Sequence, residues 1–171
     1  MKRLLLIISL MVVFTTSLMA QTIRIAYIDS YKIISESDAT REAQRLFQVD
    51  RDNWVNQVDD MEAEIARLER EYETRRLTLS ESGKREAEDR ISNRIRERQQ
   101  FIEGIFGDNG LAVKRNEELM APIMEQLRLA IDKIAIDENY TMILDASSSG
   151  IVWAQERLDI TEQVIAEMNK E

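Results

Sequence analysis

The chain of 171 residues contains neither cysteine nor histidine, which removes disulfides, thiol nucleophiles, imidazole acid–base chemistry and the usual zinc sites in one step. Its 32 acidic residues outnumber 23 basic ones, for a net charge of −9. That balance disfavours nucleic acid and anionic membrane surfaces as partners of the molecule as a whole.

The chain opens with Lys2 and Arg3, continues through an apolar run over 4–14, and reaches Thr15-Thr16-Ser17-Leu18-Met19-Ala20. This is the layout of a secretory signal peptide over 1–20 cleaved after Ala20. The competing reading, a membrane anchor, is disfavoured because the apolar run is short for a bilayer. The cleavage point carries no cysteine for a bacterial lipid anchor. Without the leader, 21 basic residues face 32 acidic ones, net −11, and no integral membrane segment is expected in the mature chain.

Residues 23–28 (IRIAYI) alternate Ile23, Ile25 and Tyr27 on one face with Arg24, Ala26 and Ile28 on the other, the period of a half-buried β-strand. Asp29 and Ser30 end it, and 31–35 (YKIIS) reads as a helical turn under the sheet. Ser35, Glu36, Ser37 and Asp38 then offer several N-caps to the next helix without singling one out.

Residues 38–135 dominate the chain and read as two long antiparallel helices joined at Ser80-Glu81-Ser82-Gly83. In the first, Val58, Met61, Ile65, Leu68 and Tyr72 recur at the three–four spacing of a two-stranded seam, which extends back to Trp54 and Phe47 and forward to Leu79. A helix over 38–79 would be roughly 60 Å long, too long for a compact domain, so the hairpin projects as an arm. The second helix carries a less regular stripe of Ile91, Ile95, Ile102, Ile105, Ala112, Leu119 and Ile123. Glu71 with Arg75, Glu81 with Arg85 and Glu86 with Arg90 are spaced as i,i+4 ion pairs, each contributing about 0.2–0.5 kcal/mol.

Charge along the arm is uneven. Residues 74–98 hold eight basic and five acidic residues, net +3, between flanks of −6 (21–73) and −8 (99–171). Most of these charges read as a solvated face, whereas Arg75, Arg76, Lys84 and Arg85 make the tip a candidate contact for a partner. Gly104, Gly107 and Gly110 stand three apart in the second helix, where each interior glycine costs about 0.5–1 kcal/mol relative to alanine. They read as an arm hinge, as a close approach of the partner helix, or as a local break in the helix. Pro122 should kink or interrupt the helix, just where the stripe thickens into Ile123, Leu127, Ala130, Ile131 and Ile134.

Asn139, following Asp137-Glu138, suits a left-handed helix end. Residues 140–145 (YTMILD) and 151–154 (IVWA) read as second and third strands, close enough in sequence to pair as a hairpin. The last helix begins at 159–162 (DITE), with Asp159 or Thr161 as cap and Glu162 placed to complete a capping box, and Val164, Ile165 and Met168 as its apolar face. The fold class is thus α+β: a body from 21–37 and 136–171, and an arm over 38–135 with its tip near 80–83.

The order of these elements resembles the Skp/OmpH family of periplasmic chaperones. The likeness is carried by Ile25-Ala26-Tyr27-Ile28-Asp29 with Lys32-Ile33, by Ile134-Ala135 leading into Asn139-Tyr140-Thr141-Met142-Ile143-Leu144-Asp145, by Val152-Trp153-Ala154, and by Asp159-Ile160-Thr161 with Val164. The resemblance implies a periplasmic homotrimer with a small β-rich association body, whose core would include Ile25, Tyr27, Ile143 and Val152. Three arms would hang around a cavity that holds unfolded outer-membrane β-barrel proteins without ATP. Three strands per chain suit closure by three copies.

Two other function classes compete with this holdase reading. A structural coiled-coil spacer or adaptor of the cell envelope would use the arm to bridge one folded partner. An enzyme would have to rely on carboxylates, and Asp145 with Asp159 is the nearest approach to a pair; both read better as a strand end and a helix cap. A divalent ion at Asp29, Asp145 and Asp159 is equally weak, and no cofactor is expected.

Overall fold

The computed structural model describes residues 23–148 and 150–170; the leader expected at 1–20 lies outside them. Two strands and five α-helices follow in the order β1 (Ile25–Ile28), α1 (Ser30–Glu36), α2 (Asp38–Arg75), α3 (Glu81–Phe106), α4 (Leu111–Asp137), β2 (Met142–Asp145) and α5 (Thr161–Met168), with a short 3-10 turn at Glu156–Leu158 before α5. None of these helices is long and apolar enough to cross a membrane.

Local chemistry sets each boundary. The Asp29 carboxylate accepts from the Lys32 amide at 2.9 Å and starts α1. Among the caps the sequence offers, Ser37 starts α2: its hydroxyl oxygen accepts from the Thr40 amide at 3.2 Å, and the residue is fully buried in the corner between α1 and α2. Helix α4 ends as foreseen at Asn139, whose φ of 54° is the left-handed value. The Tyr140 amide donates to Ala135 and the Asn139 amide to Ile136, so two terminal carbonyls are satisfied at once.

Strands β1 and β2 pair in parallel, Ile25 opposite Met142 through Ile28 opposite Asp145. A parallel pair needs a long crossover, and here the crossover is the whole arm. The core lies on one side of this ribbon: Ala26 and Ile28 meet Ile33 of α1, Leu127, Ala130 and Ile134 of α4, and Ile160, Val164 and Ile165 at α5. Ile33, Ile160 and Val164 are almost completely removed from water, each contributing about 1.5–3 kcal/mol.

Several boundaries differ from the sequence reading. The first strand is 25–28 rather than 23–28; its face turned to this chain's core carries Ala26 and Ile28. Residues 151–154 form no strand and make no hairpin with β2. The second edge of β1 is taken instead by the chain at 159–160, where the Ile160 amide donates to the Tyr27 carbonyl at 3.0 Å. Helix α2 stops at Arg75 instead of Leu79, and the tip turn is 76–80; Ser80 caps α3 through the Gly83 amide, so Glu81, Ser82 and Gly83 are helical. Helix α4 continues through Pro122 uninterrupted. Asp159 accepts from the Thr161 amide and hydroxyl, but Glu162 pairs with Lys32 at 2.6 Å instead of closing a capping box.

Candidate functional site

The arm is built from α2 returning through α3 and α4. Trp54, Val58, Met61, Leu68, Tyr72 and Leu79 are half-buried and Ile65 fully buried, as the heptad spacing requires. On the returning side Ala87, Ile91, Ile102, Ile105, Ala112, Leu119 and Ile123 face inward, but Ile95 is exposed. Its expected place in the seam is taken by Arg94 and Arg98, because the spacing from Ile91 runs three then four to these positions and on to Ile102 and Ile105. The anticipated pairs at Glu71–Arg75 and Glu86–Arg90 do not form: Glu71 takes Arg67 at 2.5 Å, Glu81 takes Lys84 at 2.7 Å, and Arg85 donates to the Glu81 carbonyl at 3.3 Å.

Polar contacts across the arm expose a change of register. Tyr72 donates to Glu88, and Arg98 meets Glu62 at 3.5 Å. Nearer the body, Arg115 donates to Asp50 at 2.7 Å. Twelve residues separate Glu62 from Asp50 on the outgoing helix, whereas seventeen separate Arg98 from Arg115 on the return. The five extra residues, about 7.5 Å of helix, are taken up between α3 and α4, where 107–110 leave the helix.

The three glycines therefore differ. Gly104 remains helical, with open space where a Cβ would stand; at Gly107 a Cβ would fall 2.5 Å from the Glu103 carbonyl oxygen, and at Gly110 2.4 Å from that of Ile105. Opposite the break, Trp54 stands edge-on between Phe47 (6.3 Å) and Phe106 (6.2 Å).

At the tip, Arg75 is the last residue of α2 and Arg76 follows it, while Lys84 and Arg85 stand in the first turns of α3. Arg76 is paired with Glu73 at 3.2 Å and Lys84 with Glu81; Arg75 and Arg85 have no ion pair among the described residues. Beside them Leu77 is 91% exposed, a feature the periodicity could not show because it falls in the turn.

The opposite end presents an apolar face. Ile25, Tyr27, Leu144, Val152, Trp153 and Leu158 line an open groove of about 470 Å3. Within this chain Val152 is 99% and Trp153 78% exposed, Ile25 is open to solvent, and Tyr27 and Ile143 are half-buried. Burial first, then the Asp159 carboxylate, push the Tyr27 hydroxyl up from its ordinary value, so it stays protonated.

The carboxylates weighed for catalysis or metal are occupied in holding this body together. Asp29 caps α1 and Asp159 turns the chain into α5. Asp145 receives the Ser30 amide at 3.2 Å and hydroxyl at 2.7 Å, the Ser147 amide at 3.1 Å and hydroxyl at 2.8 Å, and the Ser148 hydroxyl at 3.1 Å. Partial burial pushes its carboxyl up, but the bonds from Ser30 and Ser147 outweigh this and hold it at about 2. Among the described residues no three carboxylates converge as metal ligands.

A two-stranded body carrying a long helical arm defines the class of protein. Residues 24–168 match the family model described as outer membrane protein (OmpH-like), and the chain belongs to that family. Among solved structures it is similar to a Caulobacter crescentus protein described as a candidate outer membrane chaperone (OmpH-like). The TM-score is 0.79 at 9% identity, covering 86% of this chain and 85% of the other. No curated protein matches the sequence.

Proposed function

We propose that the protein is an ATP-independent holdase of the periplasm that binds unfolded outer-membrane β-barrel proteins between the arms of a homotrimer, with no catalytic step. The observation that carries the reading is the pairing of two features at opposite ends of one chain. The body ends in an apolar groove that the described residues leave open, and the arm extends the 38 residues of α2 away from it, about 57 Å.

Apolar area of the kind found at Val152 and Trp153 marks an association surface. In this reading Ile25, Tyr27 and Val152 form the shared core of three bodies, with Leu144 beside them in place of Ile143, which packs on this chain's own core, while Arg75, Arg76, Lys84 and Arg85 at each tip meet the client. Gly107 and Gly110 let the arm bend. Membership of the OmpH-like family supports the outer-membrane client class.

The test uses the mature protein. Its mass in solution should be that of a trimer, and one trimer should suppress aggregation of a β-barrel protein diluted from urea. Absence of suppression at several-fold excess would overturn the holdase reading, and capture of a single folded partner in its place would identify a spacer. Val152→Asp should dissociate the trimer; an unchanged mass would remove this groove from the interface.

A further inference from the structure

The seam of the arm is interrupted by charge at a place where the helices should be most tightly paired. By the register that sets Tyr72 against Glu88 and Glu62 against Arg98, Arg94 and Arg98 stand opposite 62–66, around the buried Ile65. Their side chains are 37% and 28% exposed, and their Nε atoms are buried without a hydrogen-bond partner.

The carboxylates nearby are committed elsewhere or too far out. Both oxygens of Glu64 are taken by Arg67, at 3.0 and 2.7 Å. Arg94 reaches Glu97 only through its terminal nitrogen, at 2.8 Å on the solvent side, and Arg98 reaches Glu62 at 3.5 Å. A buried donor without an acceptor loses its water and gains nothing in return, which offsets what the Arg98–Glu62 pair and the Arg94 charge beside Glu64 contribute across the seam and makes this layer the weak one of the outer arm. The apolar residues around it are fully buried only at Ile65, Ala87 and Ile105. The segment is also bounded by non-helical chain at both ends, the tip turn at 76–80 and the break at 107–110.

We propose that the outer half of the arm opens reversibly at the Arg94–Arg98 layer, and that the seam it uncovers, with Ile65, Leu68, Ile91 and Ile102, is a hidden apolar surface for unfolded polypeptide. The opening follows from the arm alone. The surface's role rests on the holdase reading above.

Amide hydrogen exchange on the full mature protein tests the opening. Amides of 58–72 and 87–102 should exchange at least tenfold faster than those of the inner arm at 43–47 and 116–130. The variant Arg94→Met with Arg98→Met keeps the apolar stems and removes the unpaired donors; it should slow outer-arm exchange at least tenfold. Arg96→Met, on the exposed face, should leave it unchanged. Equal rates in the two halves of the arm, or no slowing in the double variant with its helicity intact, overturn the proposal.

Aggregation suppression by the same variants tests the role. The double variant should protect a urea-diluted β-barrel protein at least threefold less well than wild type. Slowed exchange with undiminished protection leaves the opening standing and removes the hidden surface from client binding. Failure of the wild type itself to protect overturns the holdase reading and the surface's role together, while the exchange rates still decide the opening.

Discussion

Asp145 ties three parts of the body together, and its loss should be readable in the pH dependence of stability. Its two oxygens draw in the start of α1 through Ser30 and the chain after β2 through Ser147 and Ser148. A carboxyl held at about 2 in place of its ordinary 3.8 would contribute about 2.4 kcal/mol in a dry setting. Asp145 is only half-buried, and screening by water brings this to about 1 kcal/mol. Because the folded value lies below the unfolded one, the contribution is complete above about pH 4. It disappears as the pH falls from there toward 2. Asp145→Asn keeps the shape and removes the charge, so it should cost about 1 kcal/mol at pH 7 and almost nothing near pH 2. The assay is urea unfolding of both proteins at matched concentration across that range, followed by circular dichroism. A gap between wild type and variant that stays constant from pH 7 to pH 2 would refute the reasoning, since neither charge nor linkage would then be involved.

Three further outcomes follow from the geometry. Gly104→Ala should stabilise the arm by about 0.5–1 kcal/mol, whereas Gly110→Ala should destabilise it by about 1–3 kcal/mol because its Cβ would press on the Ile105 carbonyl; thermal unfolding of the two single variants separates them. Ile33→Ala, at a fully buried position under β1, should cost about 2–5 kcal/mol by the same measurement. Asp50→Asn should cost less than about 1 kcal/mol, and the loss should fade between low salt and 1 M salt, since the Arg115 pair is only part-buried.

The arm was legible because heptad spacing is a local signal: from Trp54 to Tyr72 the residues that alternate three and four apart are those that turn inward. Asn139 was legible for a similar reason, as a short polar residue at the end of a long helix. The third strand was not. Residues 151–154 have the composition of a strand, but composition does not supply a ladder partner: they lie instead along the apolar groove beside β1 and β2, with Val152 and Trp153 exposed. Alternation in β1 gives two faces without saying which one meets the core of the single chain; Ala26 with Ile28 takes that side because α1, α4 and α5 all pack there, and Ile25 with Tyr27 is left on the other. Arg94 and Arg98 escaped notice because a charged residue is normally assigned to the solvent face. Only the spacing from Ile91 to Ile105 places them in the seam, and Ile95 beside them diverted the reading.

The parallel pairing of β1 and β2 has a consequence for how the molecule comes into being. Ile25 must wait for Met142, 117 residues later in the chain, before it gains its ladder partner, and Ile160 and Val164 arrive later still. The arm needs only contacts between neighbouring stretches, so its hairpin can form early, while the body closes last. A chain that emerges from its N-terminus therefore carries β1 and α1 unsheltered for most of its synthesis. In this fold the arm is the thread that brings the two ends back together, and the body is assembled only when the last thirty or so residues are in hand.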